Sequence, residues 1–471
     1  MTKIAFVQRG PIECLGMMCI SAYLKKFGHD VMLFIESEEK DLMGIVSDYK
    51  PDIIGFTVIS GAHKWCLETA GKLKRDNNII VFGGPHSTFF PDVINEKNVD
   101  VICIGEGEHA MLELADAFPD MEKISRIRNL FVKVDGTVVR NELREFIQDL
   151  DDMPYPDREL VYRYKILREN PRKIIMTNRG CPYSCTFCFN GGYRKLYANK
   201  GRYIRMRGKE SIIGEINEIR SKYPLDSVFF SDDTLIIDKK WLIEMMKYYK
   251  EKVGLPFVCC CRADLVDEEI VMSLKDAGCL SVHFGIESGN ETIRNMVLKK
   301  GVNDASIYEA ARLLRKYGIK FKTYNILGLP GETIDNAFET IRMNAKIRTD
   351  YPWSSILVPY PKTELSEMMI NRGLLDKDYC VDDIPTSFFN KKNPKKEDWP
   401  IINLQRLFFF GVKFPALIPL IRKLIYLPPN PLFTMMFFIG QTYSYKGSEN
   451  TSWACTIKFG LKAIKTSFNE D

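Results

Sequence analysis

The chain is poor in histidine, with five in 471 residues, and it lacks a charge excess of either sign: 66 Lys and Arg against 61 Asp and Glu leave +5. The two signs are mixed along the chain, so the dense basic footprint of a nucleic-acid binder is absent and nucleic acid is excluded as a partner. Low-complexity sequence and internal repeats are lacking too. With 45% hydrophobic and 27% charged residues, the composition is that of a folded soluble protein of about three domains, not a disordered or collagenous one. No clean transmembrane run is present. The longest uncharged stretch, Leu424 to Tyr445, carries Pro428, Pro429, Asn430 and Pro431 near its start. The N-terminal MTKIAFVQRGPIECLG has no apolar h-region followed by a small-residue cleavage site, which predicts a first strand and a cytoplasmic protein. Thirteen cysteines, an odd number without a secretory signal, argue against a disulfide framework and for thiols, some of them metal ligands.

Residues 1–135 alternate short apolar runs (KIAFVQ, DVMLF, IIGFTVIS, IIVFGG, DVICIG) with helical patterns, which predicts a doubly wound parallel α/β sheet. Such sheets bind ligands beyond the carboxyl ends of their strands. At three of those ends stand Thr57 to Ser60, Gly83-Gly84-Pro85-His86 and Gly105-Glu106-Gly107-Glu108, small or polar and suited to close backbone approach. Residues 136–171, charged and broken by proline (DLDDMPYPDREL), are expected to be a linker. A second βα series over 172–375, with strands at KIIMTNRG, SVFFSDD, FVCCCRAD, SVHFGIESG and FKTYNILGLPG, predicts a partial (β/α) barrel with its site at the strand C-termini. Residues 376–471 are expected to form a small, mainly helical and apolar domain.

Cys181, Cys185 and Cys188 lie on one loop after the first barrel strand. Three thiolates so spaced can hold three irons of a cubane and leave the fourth iron open, whereas a zinc site would need a fourth Cys or His that this stretch lacks. Cys259, Cys260 and Cys261 are consecutive, so their side chains alternate between strand faces and cannot share one metal.

The CxxxCxxC loop resembles that of the radical S-adenosylmethionine (SAM) enzymes, and the resemblance continues downstream. Ser231-Asp232-Asp233 is similar to the segment that binds the SAM amino group, and Arg262 with Asp264 to the polar pair of a later strand. Gly285-Ile286-Glu287-Ser288-Gly289 is similar to the ribose-contacting turn, and Asn325 through Gly328 to Glu332 to the adenine-side GLPGE segment. The residues themselves leave alternatives: Asp232 or Asp233 could cap a helix, and Glu287 could pair with a nearby Lys.

A parallel sheet ahead of such a barrel resembles the cobalamin-binding, Rossmann-like domain of the B12-dependent radical SAM enzymes. By that resemblance Thr57, Ser60, Gly83, Gly84, His86, Gly105, Glu106 and Gly107 would hold cobalamin. In the wider cobalamin-binding fold a DxHxxG loop supplies a His that ligates cobalt. By the resemblance that loop falls on Pro11 to Gly16, where the Gly is kept and Glu13 stands in place of the His, which many radical SAM relatives also lack. For His86 and His63 an ordinary polar contact is the plainer reading. The resemblance implies a [4Fe-4S] cluster, SAM and cobalamin as cofactors and a flavodoxin- or ferredoxin-type electron donor. It further implies transfer of a methyl group to an unactivated carbon of a small molecule by way of a 5′-deoxyadenosyl radical. The alternatives are a cobalamin-binding radical SAM cyclase or rearrangement enzyme without net methylation, and a non-catalytic sensor. No catalytic residue stands out, and Tyr183 and Tyr324 are expected to pack. Phe408 to Phe410, Leu417, Ile418, Leu420 and Leu424 could cap the barrel mouth. With Arg406, Lys413, Arg422 and Lys423 they could instead lie at a membrane interface and admit a lipid-like or polycyclic substrate.

Overall fold

Apolar runs too short for helices and buried on both faces become parallel strands in a computed structural model, which describes residues 1–385 and 395–448. Residues 386–394 and 449–471 of the expected C-terminal domain lie outside the described residues. The chain divides into two units, the first made of residues 1–170, 195–211 and 218–224, the second of 171–194, 212–217 and the described residues from Leu225.

The first unit is built on β1 (Lys3–Gln8), β2 (Asp30–Ile35), β3 (Ile53–Thr57), β4 (Ile79–Gly83), β5 (Val101–Cys103), β6 (Leu130–Val134) and β7 (Thr137–Arg140), in the order β2-β1-β3-β4-β5-β6-β7. The first five are parallel. The period of two explains why both faces are covered: Ile4 and Phe6 enter one apolar core, Ala5 and Val7 the other. Strand order reverses between β1 and β3, so the loop after β1 (residues 9–14) and the loop after β3 (from Val58) open at a topological switch point.

The hairpin β6–β7 is antiparallel and turns at Asp135-Gly136, both with positive φ (49° and 77°), the twist that matches paired strands. The boundary expected at 135 therefore falls inside a hairpin, and 136–171 is not a linker. Helix α1 (Gly84–Phe89) follows β4, and helix α2 (Arg158–Tyr162) sends Leu160, Val161 and Tyr162 into the core beside Ile4 and Phe6. The charge that makes this stretch look solvated is partly internal. Arg158 lies 3.0 Å from Glu13, with side chains only 7% and 4% exposed, and the Tyr162 hydroxyl donates to the same Glu13 oxygen at 3.2 Å.

The second unit carries β8 (Arg172–Ile175), β9 (Ser227–Phe230), β10 (Phe257–Cys261), β11 (Cys279–Glu287), β12 (Lys320–Leu327) and β13 (Tyr351–Ile356), side by side in chain order and all parallel. Successive parallel strands added on one side make a partial (β/α) barrel, with every β-to-α loop at the same end. The sixth strand, YPWSSI, escapes a sequence reading because of Pro352. It is the edge strand, where a missing N–H is tolerated. Helix α3 (Ile334–Lys346) and the C-terminal helices α4 (Trp399–Lys413), α5 (Ile418–Leu424) and α6 (Pro431–Ser448) belong to this unit. Helix α4 buries Leu404, Leu407, Phe408 and Val412 against Phe338 and Ile341 of α3. Phe408 thus thickens the helical layer over the sheet edge, while Leu417 and Leu420 stay exposed.

Removing the carboxylate of a buried ion pair leaves a charge uncompensated, so Glu13→Ala is expected to cost about 3 kcal/mol. A lowered urea midpoint followed by circular dichroism checks this; an unchanged midpoint would show that the pair does not anchor α2.

Candidate functional site

Beyond β8 the chain runs through Gly180, at φ 97°, into Cys181. The residues between the cysteines hold the loop. Thr186, buried, donates its N–H to Leu298 at 3.0 Å and its hydroxyl to the Val297 carbonyl at 2.8 Å, and its carbonyl accepts from the Leu365 N–H at 2.9 Å. Phe187 packs against the cluster of Ile293, Leu298, Leu329 and Leu365. Arg194 donates to the carbonyls of Pro182 and Tyr183 and to the Ser184 hydroxyl. With the intervening residues so tied, Cys181, Cys185 and Cys188 are left partly exposed.

Burial pushes the Cys181 and Cys185 thiols up; the Tyr183 N–H works against it at Cys181, and Lys300 and Arg262 at Cys185. A cluster's iron charge offsets such a cost by favouring thiolate. Donors stand ready for the sulfurs: the Asn190 amide is 3.3 Å from Cys188 Sγ, and the Arg262 guanidinium 4.0 Å from Cys185 Sγ. Arg262 grips Asp264 with two hydrogen bonds of 3.1 Å, donates to the Lys300 carbonyl at 2.7 Å and lies 3.4 Å over the Tyr183 ring. Among the described residues no three His, Cys, Asp or Glu groups converge on a single ion. Thiolates that each take a separate iron of a cubane do not need to.

The two aspartates divide. Asp232, 3% exposed, accepts from the N–H groups of Thr177 (2.7 Å) and Asn178 (2.9 Å) and from the Thr177 hydroxyl (3.0 Å). It ties the approach to the cysteine loop and is not the free ligand its motif suggested. Burial raises its carboxyl to about 7, with those three donors pulling the other way. Asp233 is exposed and accepts at 3.0 Å from the same Asn190 amide that faces Cys188. Glu287, at φ 65° in a bulged register, pairs at 2.9 Å with the buried Lys300, the plainer of its two sequence readings. Ser288 is buried and accepts from the Asn290 N–H at 3.2 Å.

Asn325 corrects its expectation. Strand alternation turns it to the helical layer, where it accepts from Asn344 and donates to the Trp353 carbonyl, both at 2.8 Å. Gly328, at φ 80°, donates its N–H to Glu332 at 2.6 Å, so that carboxylate closes its own turn. Thr186, Arg194, Asn190 and Lys300 were not found from sequence. The Thr-Phe between the last two cysteines was the signal for the first; Lys300, 13 residues from Glu287, left none.

In the first unit, Ser60 Oγ lies 3.3 Å from His86 Nδ1, and the buried His86 ring stacks on His63 at 4.7 Å, an ordinary packed histidine. A Cβ on Gly84, at φ 88°, would come within 3.0 Å of the Val58 carbonyl, so this Gly lets the loops after β3 and β4 touch. The third loop is not open, contrary to expectation. A Cβ on Gly105 would fall 1.7 Å from the Tyr197 hydroxyl, one on Gly107 2.9 Å from Ile20, and Glu106 pairs with Arg205 at 2.8 Å. At Gly10 a Cβ would meet nothing within 4 Å, so the loop after β1 does admit close approach there, and Gly16 in the first turn of the helix that follows is equally open. Glu13 in that loop is held by Arg158 and Tyr162 and is not presented as a metal ligand.

Residues 175–343 match the radical SAM superfamily, which fits a partial barrel with a three-cysteine loop at its first strand end. Residues 2–115 match the B12 binding domain, so the chain carries both a radical SAM region and a B12-binding region. A protein of Pyrococcus horikoshii named as an uncharacterized methyltransferase is 29% identical over 371 residues, 77% of this chain and 79% of its own. The anaerobic magnesium-protoporphyrin IX monomethyl ester cyclase of Rubrivivax gelatinosus is 28% identical over 366 residues, 74% of this chain and 64% of its own. The fold is also that of the radical SAM methyltransferase TsrM from Kitasatospora setae, solved with cobalamin and a [4Fe-4S] cluster, at TM-score 0.66 and 17% identity over 79% of this chain and 75% of that one.

A carboxyl raised to about 7 in the fold is protonated there while its unfolded counterpart, near 4, is not, so its contribution to stability falls as pH rises from about 4 to 7. The wild-type urea midpoint should therefore drop more between those pH values than that of Asp232→Asn. Parallel curves would contradict the assignment.

Proposed function

We propose that this chain is a cobalamin-dependent radical SAM methyltransferase acting on an unactivated carbon of a small molecule. The observation that carries the reading is the three-thiol loop anchored by Thr186 and Phe187, with its thiols partly exposed, on a chain that also matches a B12-binding domain. When bound, the cluster with SAM supplies a carbon radical on reduction, and cobalamin supplies a transferable methyl group. Cys181, Cys185 and Cys188 would hold the cluster. Asp233, exposed and oriented by Asn190 beside Cys188, is the carboxylate suited to the SAM ammonium, while Asp232 holds the backbone in place. Arg262 and Lys300 place positive charge near Cys185, and Glu287 keeps Lys300 from being a buried charge alone. Thr57, Ser60, Gly83 and Gly84 would line the tail of cobalamin, with His86 packed behind them. Glu13 would not be the ligand to cobalt.

The second reading, a cyclase without net methylation, is favoured by the cyclase among the relatives. The reading includes a flavodoxin- or ferredoxin-type donor, a cytoplasmic location and a peripheral membrane contact; no helix among the described residues is long and apolar enough to cross a membrane.

Chain reconstituted with iron and sulfide under anaerobic conditions, given SAM and a reductant, should release 5′-deoxyadenosine, and Cys185→Ala should not. Asp233→Ala should weaken SAM binding about tenfold, the loss of one charge-assisted hydrogen bond. No cleavage by the wild type would refute the reading, and product mass separates methylation, which adds one carbon, from cyclisation, which adds none.

A further inference from the structure

A helix on a water-facing surface normally buries one apolar stripe and turns polar residues outward. Helix α6 does not. Phe433, Phe437 and Gly440 face inward, yet Leu432, Met435, Ile439 and Tyr443, spaced three or four residues apart on the other side, are 56%, 54%, 53% and 49% exposed. Leu420 on α5 and Leu427 just after it are also exposed, at 52% and 46%. Nine of the nineteen exposed large apolar side chains among the described residues fall between 414 and 443, so this is a concentration and not scatter.

The charge pattern identifies the occupant. Residues 399–448 contain no Asp or Glu but do contain Arg406, Lys413, Arg422, Lys423 and Lys446, in a chain otherwise close to balance. A second copy of the same face would set like charges together, whereas an anionic bilayer offers the opposite sign. Arg422 is paired with Asp335, and of these five cations Lys423 is the exposed one. Exposed apolar side chains beside it, in a stretch without acidic residues, are the features of a segment that lies in the interfacial plane of an anionic membrane.

We propose that the outer face of α5 and α6 docks on the surface of an anionic lipid bilayer, with Leu420, Leu432, Met435 and Ile439 entering the headgroup boundary and Lys423 pairing with lipid phosphate. This specifies the membrane contact included above and rests on it. The test is flotation of the full chain with vesicles of phosphatidylcholine alone and of phosphatidylcholine with phosphatidylglycerol. At low salt the wild type should float with the anionic vesicles and less with the neutral ones. Met435→Glu with Ile439→Glu, which leaves the inward Phe433 and Phe437 in place, should bind at least tenfold more weakly with unchanged circular dichroism. Lys423→Glu should erase the preference for anionic lipid. Flotation indifferent to lipid charge would overturn the anionic assignment while sparing the membrane contact. No flotation with either vesicle would overturn both. A concentration-dependent dimer that the double variant abolishes, with no vesicle binding, would assign the face to a second copy instead.

Discussion

Thr186 makes three hydrogen bonds to the Val297–Leu298 turn and to Leu365, and Phe187 beside it fills an apolar pocket. Thr186 satisfies its own N–H and C=O in a loop that belongs to no helix or strand, and with these two residues turned inward the flanking thiols are left partly exposed. Without that anchor Cys181, Cys185 and Cys188 would be three cysteines on a flexible loop, and ordering them would fall to the metal. The anchor also makes the rest of the arrangement consistent. Arg262 reaches Cys185 because Asp264 and Tyr183 fix its plane, and Lys300 can be buried because Glu287 accepts its charge. Charge-assisted hydrogen bonds and stacking hold these groups where sulfur ligands would stand.

The first unit follows a different logic. Its strand ends supply backbone clearance more than polar ligands, and the clearance is uneven. Gly10 and Gly16 open outward, Gly84 serves contact between two loops, and Gly105 lies under Tyr197. The loop after β1 uses Glu13 to secure α2 through Arg158.

The parts legible in the sequence were those with a strong period or a strong spacing: the parallel strands of both sheets, the cysteine loop and the pairing of a B12-binding sheet with a radical SAM barrel. The illegible parts share a physical cause, that a side chain's partner lies far along the chain. Strand β13 was hidden by Pro352, harmless only because the strand is at the edge. Residues 136–171 read as a linker from their charge and prolines, whereas Arg158 is paired inside. Asn325 was assigned with its motif, but the alternation of β12 turns it to the helices. Asp232 and Asp233 could not be told apart until the Thr177 and Asn178 N–H groups were seen to converge on the first.

The central claim is that one chain holds both an iron–sulfur cluster on its cysteine loop and cobalamin on its first sheet. The most direct test is the metal content of chain reconstituted anaerobically with iron, sulfide and hydroxocobalamin, beside a variant with Cys181, Cys185 and Cys188 all changed to Ala. The account predicts about four irons and one equivalent of cobalt per wild-type chain, and a variant that keeps the cobalt and loses the iron. Iron retained by the variant, or a wild type that takes up iron and no cobalt, would contradict it.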